Sequence, residues 1–298
     1  MDYAGNYNDD TSHDGNLPYQ RLNSPAPKPG LVTGNLLINF LLIPALSLGI
    51  GRVFFPSEPG LFLGMLMIGL IPTSGMTVSW TGFAGGNIKA AVSLMVIGLL
   101  AGALLAPLYL VPFMGGRADI NLSGILRQIL LVVFVPMFAG AGIRWYLIRR
   151  SSESRFQEYW KPRIPSLSTL GVLGIVFLAT ALKARQLAAS PGQLLYLLVP
   201  VLLFYGLLYA GVSGIGRRFF SREDGVALLF STVMRNLSLS LAIAVTAFPS
   251  IGSQAALLLA LAYVIQVQSA SVFIRFAKRP HERQHAVGVN SPALQEGD

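Results

Sequence analysis

GVALLFSTVMRNLSLSLAIAVTAF, residues 225–248, is long and apolar enough to cross a bilayer, yet it carries Arg235 near its middle. A hydrocarbon core is about 30 Å thick and takes about 20 helical residues to cross, which puts Arg235 close to the midplane. An Arg at the centre of a membrane helix costs roughly 2.5 to 3.5 kcal/mol on insertion scales, and such residues face a bundle interior or a wet cavity. Asn236, Ser238 and Ser240 stand beside it. A polar cluster inside an apolar span reads as the lining of a buried polar site.

Composition agrees with a membrane setting for this span. Of the 298 residues 53% are hydrophobic and only 12% charged, with a mean hydropathy of +0.60. This is the profile of an all-α polytopic membrane protein. The formal net charge of +9 comes from Lys and Arg between apolar runs, with no basic stripe interleaved with aromatics, so it reports membrane orientation and not nucleic-acid binding. The absence of Cys excludes disulfides, thiolate metal sites and a cysteine nucleophile.

Residues 1–30 form a polar lead-in that reads as disordered, without the pattern of a signal peptide, and 281–298 a C-terminal tail. The transmembrane domain between them, 31–280, divides into eight apolar segments, A to H. Their approximate ranges are 31–55, 60–84, 88–114, 120–148, 165–182, 193–216, 225–248 and 253–276. Segment B is interrupted by Pro72-Thr73-Ser74-Gly75, where the missing proline N–H breaks the helix. Hydrocarbon tolerates the freed backbone groups only where protein or water satisfies them. B and G are therefore the two discontinuous spans.

A cytoplasmic N-terminus places 16 basic residues on the cytoplasmic side: Arg21, Lys28, Lys89, Arg144, Arg149, Arg150, Arg155, Lys161, Arg163, Arg217, Arg218, Arg222, Arg275, Lys278, Arg279 and Arg283. The other side keeps 5, namely Arg52, Arg117, Arg127, Lys183 and Arg185. The positive-inside rule then puts both termini in the cytoplasm of a multi-pass protein of the cell membrane.

The most specific signal is internal. GIGRVFFPSEPG at 49–60 and GIGRRFFSREDG at 214–225 match at eight of twelve positions, without a gap, at an offset of 165 residues. Segments A, B and C thus repeat as F, G and H, five spans apart. An odd separation orients the copies oppositely, giving an inverted repeat with 31–114 as a partial first copy and 115–280 as the second. Secondary transporters built this way bind solute near the midplane, between two interrupted helices. If D and E open the second copy, two spans are expected before A. Their absence points to an eight-span variant or to a chain that lacks the first two helices of a ten-span fold.

LLINFLLIPAL, IPTSGMTVSWTGFAGGN and TVMRNLSLSLAIAV resemble the third, fourth and ninth helices of the bile acid:sodium symporter superfamily, which includes the arsenite permeases. The resemblance covers about 31–280 and implies a ten-helix fold of two inverted repeats, with panel and core domains and two unwound helices crossing at the binding site. Carried over by position, the third-helix Gln ligand of sodium-coupled members falls on Asn39. Their fourth-helix Ser-Asn falls on Thr77 and Val78, and their ninth-helix Glu, Gln and Asn fall on Ser231, Arg235 and Asn236. The sodium carboxylate is thus replaced by Ser231, and a cation stands beside its place. The expectation is no cofactor; the missing carboxylate speaks against sodium coupling and leaves a proton or no coupling ion open. The arsenite permeases use a Cys in the broken fourth helix, which this chain lacks, although the wording of that helix leans to their branch.

The expected site comprises Asn39, Pro72, Thr73, Ser74, Gly75, Thr77, Ser231, Arg235, Asn236, Ser238, Ser240 and Gln266. Plainer readings stand beside it. Pro72 could be a simple kink, and Arg235 a structural residue bonded to carbonyls freed at the break in B. Ser238 and Ser240 could bond back to their own helix, and Gln266 and Gln268 could glue helices together. The spans hold no Cys, no His and none of the 13 carboxylates, which argues against an intramembrane enzyme. The function expected is secondary transport of a small anionic or oxyacid solute by alternating access. The alternatives are an arsenite or metalloid efflux permease and a truncated, non-transporting homologue. The lipid bilayer and the solute are the expected partners, with no nucleic acid.

Overall fold

The computed structural model describes residues 26–114, 122–160 and 191–287, with the single positions 163, 174 and 177. Segment E and most of both tails lie outside the described residues. Among the described residues every regular element is helical.

Helix α1, Pro29–Phe54, is interrupted by a π-helical turn at Ile38–Leu42. The cause is two residues on: Pro44 has no N–H for the carbonyl of Phe40, and the Tyr109 hydroxyl donates to that carbonyl instead. Segment B becomes two half-helices, α2 at Pro59–Leu70 and α3 at Met76–Phe83. Helix α4 spans Ile88–Met114, and α5 spans Leu122–Arg150. After the undescribed stretch, α6 runs over Pro191–Phe219. Segment G is also split, into α7 at Arg222–Val233 and α8 at Leu237–Ala247. Helix α9, Gly252–Val287, runs well past the expected end of segment H.

Five helices are long and apolar enough to cross a membrane among the described residues: Pro29–Phe54, Ile88–Met114, Leu195–Phe219, Arg222–Ala247 and Gly252–Ile274. The described residues are those of a helical, polytopic membrane protein. Both halves of B are too short to cross alone, and α2 is buried along nearly its whole length.

The helices around the two breaks have matching ends and neighbours. Helix α1 ends at Phe54 and α6 at Phe219, a separation of 165. Helix α2 packs on α1 and α9, and α7 packs on α6 and α4. The second half-helices lie on α4 in the case of α3 and on α9 in the case of α8, and each also touches the first half-helix of the other break.

Close backbone approach is bought locally by glycine. A Cβ on Gly60 would lie 2.4 Å from Gln254 Oε1, and one on Gly64 3.1 Å from the Ala255 backbone, so α2 and α9 touch along a smooth strip. Gly98 and Gly102 form a notch in α4 that receives the break in B: a Cβ on Gly102 would sit 2.6 Å from Pro72 Cδ, and one on Gly98 3.1 Å from the Thr73 side chain. Thr73 has φ 50°, a left-handed conformation that β-branched residues rarely adopt. Its hydroxyl donates to the Met95 carbonyl of α4 at 3.2 Å, which helps hold the strained residue in place.

Candidate functional site

A helix that stops inside a membrane leaves its last carbonyls without intrahelical donors. Helix α2 ends this way at Leu70, because Pro72 has no N–H for Ile68 and Thr73 is turned out of helical register. The other broken span supplies the replacement donors. Ser240 Oγ donates to the Met67 carbonyl at 2.9 Å, Arg235 Nε donates to that of Ile68 at 3.1 Å, and Arg235 Nη2 donates to that of Gly69. The Asn236 backbone N–H donates to the Ile71 carbonyl at 3.2 Å.

Arg235 is fully buried. Its Nη1 donates to Asn39 Oδ1 and, at 3.2 Å, to the carbonyl of Thr232 in the last turn of α7. The guanidinium therefore lies where two half-helices present their C-termini, each carrying roughly half a negative charge in partial form. Its recorded acceptors are three carbonyls and one amide oxygen, with no carboxylate among them.

The backbone of Arg235 is anchored separately. Gln266 Oε1 accepts from the Arg235 N–H at 2.8 Å, and Gln266 Nε2 donates to the Arg235 carbonyl at 3.2 Å. The Tyr205 hydroxyl donates to the same Gln266 oxygen at 2.9 Å. One side chain from α9 thus reaches both backbone groups of Arg235, whose N–H also donates to the Val233 carbonyl at 2.9 Å. Gln268, by contrast, is exposed.

The remaining expected residues fall around this centre. Asn39 lies in the π-helical turn of α1 and donates to the Asn35 carbonyl at 3.0 Å. Asn35 Nδ2 donates to Ser231 Oγ at 2.6 Å, so Ser231 is held between α1 and its own helix, donating to the Leu228 carbonyl at 2.9 Å. Thr77 Oγ1 donates to the Phe230 carbonyl at 3.3 Å, linking α3 to α7. Asn236 caps α8, its Oδ1 accepting from the Leu239 N–H at 3.2 Å. Ser238 is half-buried in the first turn of that helix.

No side chain caps the N-terminus of α3. There Ser74 is buried, with its Oγ lacking a hydrogen-bond partner among the described residues. Gly75, next to it, is exposed and has nothing within 4 Å of where a Cβ would stand. Free N–H groups at a helix start carry partial positive charge and suit an anion.

Asn35, Tyr205 and the Asn87–Asp224 pair were missed from sequence. Asn35 lies four residues before Asn39, on the same helix face, and that spacing was a usable signal. Asp224, expected in a loop, stands buried in the first turn of α7 and accepts from Asn87 Nδ2 at 2.8 Å.

Two interrupted helices that meet at a buried polar centre inside an apolar bundle define a membrane transport protein. The chain belongs to the SBF-like CPA transporter family, whose sequence pattern it matches over residues 16–279. It is 23% identical to the YbaS protein of Bacillus subtilis over 216 residues, 72% of this chain and 69% of that one. It is 21% identical to the arsenical-resistance protein Acr3 of Corynebacterium glutamicum over 248 residues, 80% of this chain and 67% of Acr3. With the sodium/bile acid cotransporter 7 of Rattus norvegicus it shares 24% identity over 208 residues, 63% of this chain and 59% of the cotransporter. The resemblance read from the three segments is thus upheld, and the relatives named for an activity are transporters and a resistance protein, not enzymes.

Proposed function

We propose that this chain is a secondary transporter that moves a small anionic or oxyacid solute across the cell membrane by alternating access, without sodium. The observation that carries the reading is the all-oxygen nest of Arg235. A cavity formed by carbonyls of Ile68, Gly69 and Thr232 with Asn39 Oδ1 is a setting a metal cation would suit, and here a tethered guanidinium fills it. Arg235 acts on the solute through its charge, while the uncapped start of α3 with Ser74 and Gly75 offers the direct contacts. Thr77, Asn236 and Ser238 border the same region.

The matched packing of α1–α4 and α6–α9 supports the inverted repeat, and the basic-residue count supports cytoplasmic termini. A metalloid oxyacid is the second reading, favoured by the likeness to Acr3. With no Cys in the chain, such a solute would be held by hydrogen bonds rather than by thiolates.

The test is uptake of organic anions and of arsenite into proteoliposomes with and without a sodium gradient. Expected is anion uptake indifferent to sodium, abolished by Arg235→Gln at a temperature below that variant's own unfolding transition, with a sodium requirement appearing when Ser231→Glu is added to it. Uptake that rises steeply with sodium in the wild type, or normal uptake by Arg235→Gln, would refute the tethered-cation reading.

A further inference from the structure

The twelve-residue motif that occurs twice is used differently at its two places. In the first copy the turn between α1 and α2 is packed shut. Phe55 is fully buried with Tyr196 edge-on at 5.6 Å, and Gly60 is covered by Gln254 and the Ile251 carbonyl. In the second copy the turn between α6 and α7 borders a cavity of about 430 Å³.

The backbones of Gly216 and Gly225 touch at the neck of this hairpin, where a Cβ on either would stand 3.3 Å from the other strand of chain. Beyond the neck, α6 contributes Ser213 and Arg217, the turn Phe220 and Ser221, and α7 Arg222 and Leu229, with Phe273 of α9 opposite. None of the lining residues is acidic. Asp224, in the same turn of helix, is directed to Asn87 instead.

The two ends of the cavity differ in chemistry. Arg217, Ser221 and Arg222 are exposed, whereas Leu229 is buried and Phe273 is stacked on Tyr209 at 5.3 Å and edge-on to Phe230 at 6.0 Å. Ser213 Oγ is buried and has no hydrogen-bond partner among the described residues. Two guanidiniums and a buried hydroxyl without a described partner, in one lining with Phe220, Leu229 and Phe273, match an anion that carries an apolar tail.

We infer that this cavity is a binding site for an amphipathic phosphate or carboxylate, with its head on Arg217 and Arg222 and its tail over Leu229 and Phe273. Planar guanidiniums suit the oxygens of such a head, and the position at the end of two apolar spans suits its tail. None of the residues bonded to Arg235 lines this cavity.

Native mass spectrometry of the purified, delipidated protein tests it. The probes are phosphatidylglycerol, phosphatidylcholine, dodecyl phosphate and inorganic phosphate. The expected result is retention of phosphatidylglycerol over phosphatidylcholine by at least tenfold. Arg217→Gln with Arg222→Gln should remove that preference, and Ser213→Leu, which fills the cavity and leaves both charges, should weaken binding. Dodecyl phosphate binding in place of phosphatidylglycerol would support the same chemistry with the aqueous phase as source. Equal retention of both lipids, inorganic phosphate displacing lipid as well as dodecyl phosphate does, or wild-type binding by the double variant would each overturn it.

Discussion

The two breaks reach the same outcome by opposite means. The break after α2 is made by backbone chemistry: a proline that cannot donate, a threonine at φ 50°, and a glycine notch in α4 that makes room for both. The break after α7 contains neither proline nor glycine in Met234-Arg235-Asn236. It is held open by side chains, with Gln266 taking both backbone groups of Arg235 and Asn236 capping the next half-helix. The first break creates unanswered acceptors, and the second provides the donors that answer them. Neither is stable without the other in a medium that supplies no water.

Arg235→Gln is the most severe way to break this pairing. It strips donors from the Ile68, Gly69 and Thr232 carbonyls at once. With each buried unsatisfied group worth about 1–3 kcal/mol, the loss should exceed about 3 kcal/mol. Thermal unfolding in detergent should show a marked fall in Tm, with Arg235→Lys recovering only part of it, because an ammonium lacks the fork that reaches two carbonyls together. An unchanged Tm would mean that the carbonyls find other partners.

Gln266→Leu attacks the second break alone. It leaves the Arg235 carbonyl and the Tyr205 hydroxyl without these partners, while the Arg235 N–H keeps the Val233 carbonyl at 2.9 Å, with an expected cost of about 2 kcal/mol. The same unfolding assay reads it, and double-mutant coupling with Arg235→Gln should be strongly non-additive because the two act at one residue.

Gly102→Val attacks the first break alone. The added side chain meets Pro72 Cδ, and overpacking of this kind costs about 1–3 kcal/mol. Transport should fall further than stability, since the start of α3 is displaced with the break. Proteoliposome uptake beside Tm measures the difference, and parallel losses would show that Pro72 only kinks the helix.

Ser74→Ala should be the mildest for the fold and selective for function. The hydroxyl has no partner to lose among the described residues, so stability should move by less than about 0.5 kcal/mol. KM for an anionic solute should rise severalfold with little change in maximal rate. A normal KM would remove Ser74 from the solute site.

Much of this was legible in the sequence because membrane physics writes large signals. Apolar runs, the Pro72 interruption and an Arg in mid-span need no partner to be recognised, and Pro72 carried forward by 165 residues falls on Leu237, the first residue after the second break. The partners of Arg235 were not legible, since carbonyl oxygens carry no side-chain signature and any residue supplies one. The π-helical turn was hidden for a similar reason: Pro44 announces a missing donor, but only the fold shows that Tyr109 replaces it. The Gly98-x-x-x-Gly102 notch was visible in principle, as small residues one turn apart are a common contact pattern in membrane helices.

The clasp at the crossing also constrains how the molecule can move. Sliding α7 and α8 past α2 by one turn, about 5.4 Å, would part Arg235, Asn236 and Ser240 from their carbonyls in a single step. Each separated group would stand in a dry interior at a cost of several kcal/mol. The half-helices therefore form one stiff body, and any motion that changes which side of the membrane reaches Ser74 and Gly75 carries the whole crossing with it.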